Sequence, residues 1–297
     1  MNPLRRRAVS LCLILLLALP AILTGCSGKY GDFPEKLALM QQNIKETEPI
    51  CDKLVEIANW QIDSAETYWK EYDEAFANGT EGDLAQDDNL EEVQAQADTL
   101  KAQLDALSAI ESSYTQGDKT GVEQLDMTEQ AYLTYISDIR RSAEDMQTMF
   151  QYYFDVREAI QPMSEFEPAE STTGYTDYSL IAGQMSQVIS QTQKALEQIS
   201  YPAYMKDSHD MLKQRVGEYQ GLSQDLSKAV QLSDPLRLAS WMNRVSRLDI
   251  MLSECSRNLD EDFNLQFGQA RDRIEGRVST LRSDLNTNIA ALLKAIG

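Results

Sequence analysis

Trp241-Met-Asn-Arg-Val-Ser-Arg-Leu-Asp-Ile-Met-Leu-Ser-Glu-Cys255 decides the fold, because its apolar positions do not alternate. Trp241, Val245, Leu248, Leu252 and Cys255 recur at threes and fours. The series continues through Leu259, Phe263, Phe267, Ala270, Ile274, Val278, Leu281, Leu285, Ile289, Leu292 and Ile296. A strand would place every second residue on one face, whereas a helix gathers residues spaced this way into a single stripe. The mean step of about 3.67 residues is that of an eleven-residue repeat, which runs straight or slightly right-handed along a helix. Ser233-Asp234-Pro235 supplies the start, a capping side chain ahead of a first-turn proline. Gly268 and Gly276 are where so long a helix can bend.

Outward from this stretch the same rhythm repeats. Leu37, Met40, Ile44, Thr47, Cys51, Leu54, Ala58, Ile62, Ala65, Trp69, Tyr72 and Phe76 predict a helix from about Pro34 to Ala77. Pro49 lacks a backbone donor and predicts a kink or restart near Thr47 to Ile50. Leu90, Val93, Ala97, Leu100, Leu104 and Leu107 keep a heptad seam ending near Tyr114. A polar turn over 115–121 returns the chain into a third helix through Leu125, Tyr132, Ile136, Ile139, Ala143, Met146, Phe150, Tyr153 and Ile160. Its aromatic run Phe150-Gln151-Tyr152-Tyr153-Phe154 is too dense for one buried stripe, so some of these rings are expected near the surface.

Residues 161–177, with Pro162, Pro168, Gly174 and three glutamates, read as a linker. Ile181, Met185, Val188, Thr192, Leu196 and Ile199 predict a fourth helix that breaks at Tyr201-Pro202. Leu212, Val216, Tyr219, Leu222, Leu226 and Val230 predict a fifth, to about Leu232. The fold class is therefore all-α, an elongated bundle of about six long amphipathic helices. Residues 34–160 and 178–297 form two helical halves, packing as one domain or as two. The motif Leu107 to Ile110 before one hairpin matches Leu196 to Ile199 before another, and Ile136, Ile139, Ala143 match Tyr219, Leu222, Leu226; duplication and generic patterning account for this equally well.

The N-terminus is of another kind. Arg5-Arg6-Arg7 precedes an apolar run from Ala8 to Leu23, then Leu23-Thr24-Gly25-Cys26. The run is short and interrupted for a membrane-spanning helix. This order resembles the signal peptide and lipobox of bacterial lipoproteins, and the whole chain resembles the broad class of all-helical envelope lipoproteins. The resemblance implies removal of residues 1–25, a covalent diacylglycerol on Cys26 and, in many members, an N-acyl chain such as palmitate. Residues 26–33 are then a tether, and the protein lies at the cell membrane on its extracytoplasmic face. A solute-binding lipoprotein of a transporter would alternate strands with helices, and no convincing strand is present.

The chain carries 47 acids against 27 bases, a formal charge of −20. Loss of the three leader arginines takes this to −23. Such a surface excludes nucleic acid as a partner and repels anionic lipid, leaving the lipid anchor as the membrane contact. Beyond Cys26, the mature chain keeps Cys51 and Cys255. They either form a disulfide or lie as two separately buried thiols, and both positions fall on apolar stripes.

Groups for chemistry are sparse. His209 is the one histidine, which excludes multi-histidine metal sites, and its flanking acids Asp207 and Asp210 suggest an exposed or capping side chain. No nucleophile elbow, phosphate-binding glycine loop or Cys-x-x-Cys pair occurs. Glu81, Asp83, Asp87 and Asp88 share a loop and are weak calcium candidates. The third position counted from Asp83 is Ala85, which departs from the EF-hand pattern. No catalytic residue and no cofactor is expected. The leading expectation is a non-enzymatic interaction or scaffold module contacting an envelope protein or the cell wall. A binding protein for a small ligand or cation is the alternative, and a hydrolase comes third.

Overall fold

The structure, a computed structural model, describes residues 33–79, 90–116, 123–164, 166 and 175–296. Among the described residues there is no strand, and the helices pack against one another. They are α1 (Phe33–Asn78), α2 (Leu90–Ser113), α3 (Glu123–Ser164), α4 (Tyr175–Gln198), α5 (Lys206–Gln231), α6 (Pro235–Asp272) and α7 (Ser279–Ile296). A π-helical turn, Arg273–Val278, joins α6 to α7, so the last two segments form one continuous helix and the total among the described residues is six. Gly276, one of the two expected bend points, lies inside that turn. None of these helices is long and apolar enough to cross a membrane.

The helix ends follow local chemistry. Asp234 Oδ1 accepts from the backbone N–H groups of Leu236 and Arg237 at 3.0 and 3.2 Å, capping α6 as its sequence suggested. Ser233 just before it takes φ 47°, the left-handed conformation that reverses the chain between α5 and α6. A short 3₁₀ turn, Ala203–Met205, follows Pro202 and starts α5. The restart expected at Pro49 does not occur, and α1 runs through it unbroken. A proline removes one ladder bond, and packing on both sides outweighs that loss: Thr47 and Ile50 are both buried. Likewise α3 runs through Pro162 to Ser164, and Phe166 packs beside Ile181, Ala182 and Leu226, so residues at both ends of the expected linker belong to structured elements.

The chain divides into two compact units that are not the sequential halves 34–160 and 178–297. The first takes the chain up to Asn59, Asp98–Glu144 and everything from Gln269; the second takes Trp60–Ala97 and Asp145–Gly268. The reason is helix length. At 46 and 42 residues, α1 and α3 are each about 60–70 Å long, enough to serve one core with one end and another core with the other.

In the first unit Leu37, Leu54, Ile57, Leu107, Leu125, Ile139 and Leu285 are fully buried. Polar side chains are locked within this core. Asn43 Nδ2 donates to Tyr132 Oη at 2.6 Å and to Ser113 Oγ at 3.2 Å. Thr47 Oγ1 donates to the Ile44 carbonyl at 2.8 Å, which leaves it to accept from Tyr135 Oη at 2.7 Å. The last helix brings cations to this unit. Arg271 reaches Asn59 at 3.1 Å, Arg277 pairs with Asp138 at 2.7 Å, and Arg282 pairs with Glu48 at 3.3 Å.

The second unit is built on the α4–α5 hairpin together with the adjoining parts of α1, α2, α3 and α6. Ile189, Leu196, Leu212, Val216, Leu222, Leu226 and Phe267 are fully or almost fully buried there. Trp241 is half-buried and donates its indole N–H to the Leu222 carbonyl at 2.9 Å. The two similar hairpin motifs lie in different units, Ile110 and Ile136 in the first and Leu196 and Tyr219 in the second.

Candidate functional site: an aromatic cavity in the second unit

On α1, residues 60, 61, 64, 65, 68 and 69 fall within one broad helical face, since steps of four return nearly to the same direction. Trp60, Gln61, Ser64, Ala65, Tyr68 and Trp69 thus form one wall of a cavity of about 240 Å³. The second wall comes from α3, with Tyr152, Tyr153, Val156, Arg157 and Ile160. The third comes from α6, with Ser256, Leu259, Asp260 and Phe263, and Val93 of α2 completes the lining. The rings brace one another edge to face: Tyr68 on Trp69 at 5.0 Å between centroids, and Tyr153 on Phe263 at 6.2 Å.

Asp260 is the one carboxylate in this lining. Trp69 Nε1 donates to its Oδ2 at 2.8 Å, a bond that favours the anion. Burial acts the other way and prevails, raising its pKa to about 6. The Tyr68 hydroxyl is pushed up as well, first by burial and then by the negative charge of Asp260. Outside the wall, the Arg257 guanidinium lies 4.7 Å from the centroid of a Trp69 ring and pairs with Asp73.

Behind this wall sits His209. The exposed or capping position that its acidic neighbours suggested is wrong: the side chain is fully buried. On a helix, Asp207 and Asp210 point about 160° and 100° away from residue 209, so their exposure says nothing of its own. Nε2 lies 3.1 Å from the Leu196 carbonyl, and Nδ1 lies 2.9 Å from Tyr152 Oη. Both contacts are satisfied when Nε2 carries the proton and Tyr152 donates to Nδ1. Tyr201 stacks on the imidazole at 4.2 Å. Burial lowers the histidine pKa and raises that of the Tyr152 hydroxyl, so both groups are held neutral.

Cys51 and Cys255 are free thiols, Cys51 in the first unit and Cys255 in the second. Cys51 is half-buried and Cys255 is fully buried. Burial pushes Cys51 up to about 12 and raises Cys255, so neither is poised as a nucleophile. Leu23, Thr24, Gly25 and Cys26 lie outside the described residues, as do Glu81, Asp83, Asp87 and Asp88. Among the described residues no group of three or more His, Cys, Asp or Glu side chains converges as metal ligands would. The first unit has an open trough of about 390 Å³ between α1 and α2, lined by Leu39, Gln42, Asn43, Glu46, Ile50, Ala106, Ala109, Ile110 and Ser113. Asn43 there already serves Tyr132 and Ser113.

The aromatic run at 150–154 divides between core and partly exposed positions, as its density suggested. Phe150 and Tyr152 are buried, Tyr153 and Phe154 half-buried, and Tyr152 and Tyr153 reach the cavity. Trp60, Tyr68 and Asp260 were missed. Trp60 falls midway between the stripe positions Ala58 and Ile62, on the far side of the helix from them, Tyr68 stands one residue before Trp69, and Asp260 is about a hundred positions beyond the aromatic run. Neither ring shares the phase of the stripe, so periodicity carried no signal for them. Comparison with protein-family models, curated proteins and solved structures found no match.

Proposed function

We propose that this protein is a lipid-anchored, extracytoplasmic, non-enzymatic interaction module that contacts another envelope protein or the cell wall. The observation that carries this reading is the corner between α5 and α6. It presents Leu232 and Leu236 at 61% and 82% exposure, large apolar side chains that a solvated corner has no need of. The chemistry-bearing groups support it from the other side: His209, Tyr152, Tyr132 and Tyr135 are spent on hydrogen bonds inside the two cores. The lipobox resemblance supplies the address. A photoreactive residue replacing Leu236 in cells tests the reading. Adducts of defined mass with one protein or with wall polymer support it; adducts no different from those at an exposed polar site such as Lys70 count against it.

The cavity in the second unit favours a second reading, a binding protein for a small ligand. It joins an apolar, aromatic lining to a few polar groups, among them one carboxylate, which is the usual character of a small-molecule site, and its volume, below the usual range for such sites, admits only a compact ligand. Saturable quenching of the fluorescence of Trp60 and Trp69 by a small molecule supports it.

A further inference from the structure

We infer that the aromatic cavity of the second unit takes a small organic cation, an alkylammonium group seated against Trp60, Tyr68 and Phe263 with its charge toward Asp260. The inference rests on the reading of this cavity as a ligand site and adds the class of ligand. Aromatic faces carry negative potential and attract cations that are large and weakly hydrated. This wall already does so: Arg257 lies 4.7 Å from a Trp69 ring centroid on its own account.

The recessed carboxylate selects the charge. Among the described residues one side chain, the Trp69 indole, donates to Asp260, and burial disfavours its anion. A cation entering the cavity removes that penalty, whereas an anion adds to it. Inorganic divalent ions are poorly matched, since they require several hard oxygen ligands and the lining offers one carboxylate. The volume of about 240 Å³ limits the ligand to a compact one. Two guanidinium groups are nearby, and each is already engaged. Arg157, on α3, lines the cavity and already has interactions of its own; Arg257, on α6, is paired with Asp73 of α1. A formal charge of −20 over the chain raises the local concentration of any cation.

The test is a titration of the full-length protein in neutral detergent, read by tryptophan fluorescence, with three probes: choline, glycine betaine, and 3,3-dimethylbutanol, the neutral isostere of choline. Saturable binding of choline or betaine at least about tenfold tighter than the isostere is expected, as for a desolvated cation–π site. Asp260→Asn should weaken the ammonium probes about tenfold and leave the isostere unchanged, and wild-type affinity should fall as pH drops through the titration of Asp260. A thermal melt of the variant establishes that it is folded; if it is not, Tyr68→Leu is used with the same expected loss. Equal binding of all three probes would overturn the cation and leave a ligand site. No saturable binding by any probe would overturn both.

Discussion

Tyr152 Oη and His209 Nδ1 are 2.9 Å apart in a core that excludes water from both, and the other imidazole nitrogen holds the Leu196 carbonyl. One side chain thereby ties α3, α4 and α5 into the second unit. The chain has one histidine, so its imidazole gives a single set of NMR resonances. These should show the Nε2–H tautomer and a pKa below the ordinary 6.5. A histidine depressed in the folded state contributes stability that is full above 6.5 and is lost as pH falls through the folded value. Replacing His209 by Leu leaves the Tyr152 hydroxyl and the Leu196 carbonyl unpaired and should cost about 2–4 kcal/mol in denaturant unfolding. A midpoint titration above 6.5 would place the ring in water.

In the first unit, the direction of one bond sets an asymmetry. Thr47 spends its proton on the Ile44 carbonyl, so Tyr135 is the donor between them. Tyr135→Phe leaves an acceptor that still makes one bond, at about 1 kcal/mol. Thr47→Val strands the Tyr135 hydroxyl and should cost about 2 kcal/mol. The double variant should be less destabilised than the two losses added together, and additive losses in urea melts would show that the pair is not coupled.

Asp260 gives the pH dependence of the second unit. Its pKa is raised from 3.8 to about 6, so its favourable contribution is full below the unfolded value and is lost as pH rises through about 6. Asp260→Asn, which can still accept from Trp69, should therefore match the wild type near pH 3.5 and exceed it at pH 7.5. The gain has an upper limit of about 3 kcal/mol. Thermal melts of both proteins across this range read the gap directly; a gap independent of pH would mean that the carboxylate is solvated.

The two thiols should behave as buried groups. In the mature form proposed above, with Cys26 taken up by lipid, a thiol reagent at pH 8 should label Cys51 and Cys255 slowly in the native protein and label both at once in denaturant without reductant. Absence of labelling until reductant is added would establish a disulfide.

The helices were legible because burial leaves a period in the sequence. Leu248, Cys255, Leu259, Phe263, Phe267, Ala270 and Ile274 are all buried on the stripe that named them. The same rule, applied two steps further back from Leu212 on α5, reaches His209 and then Met205, both buried; the acids beside the histidine hid a position that periodicity had already assigned. The interleaving of the units was not legible. It depends on where along α1 and α3 the partners change, and the stripes of those helices run through Asn59 and Glu144 without a mark. Nor was Asp260 legible as a cavity residue, because its meaning comes from Trp69, almost two hundred residues away.

The anchor carries the proposed location and, with it, the class of partner. The most direct measurement is the intact mass of the N-terminal peptide from protein recovered from the membrane fraction of a bacterial host, wild type beside Cys26→Ala. The expected wild-type peptide begins at Cys26 and bears a diacylglycerol with or without an N-acyl chain, and the variant is released or retains residues 1–25. A wild-type peptide that begins elsewhere or carries no lipid, with the variant still bound to the membrane, would refute the anchor and the envelope partner that depends on it.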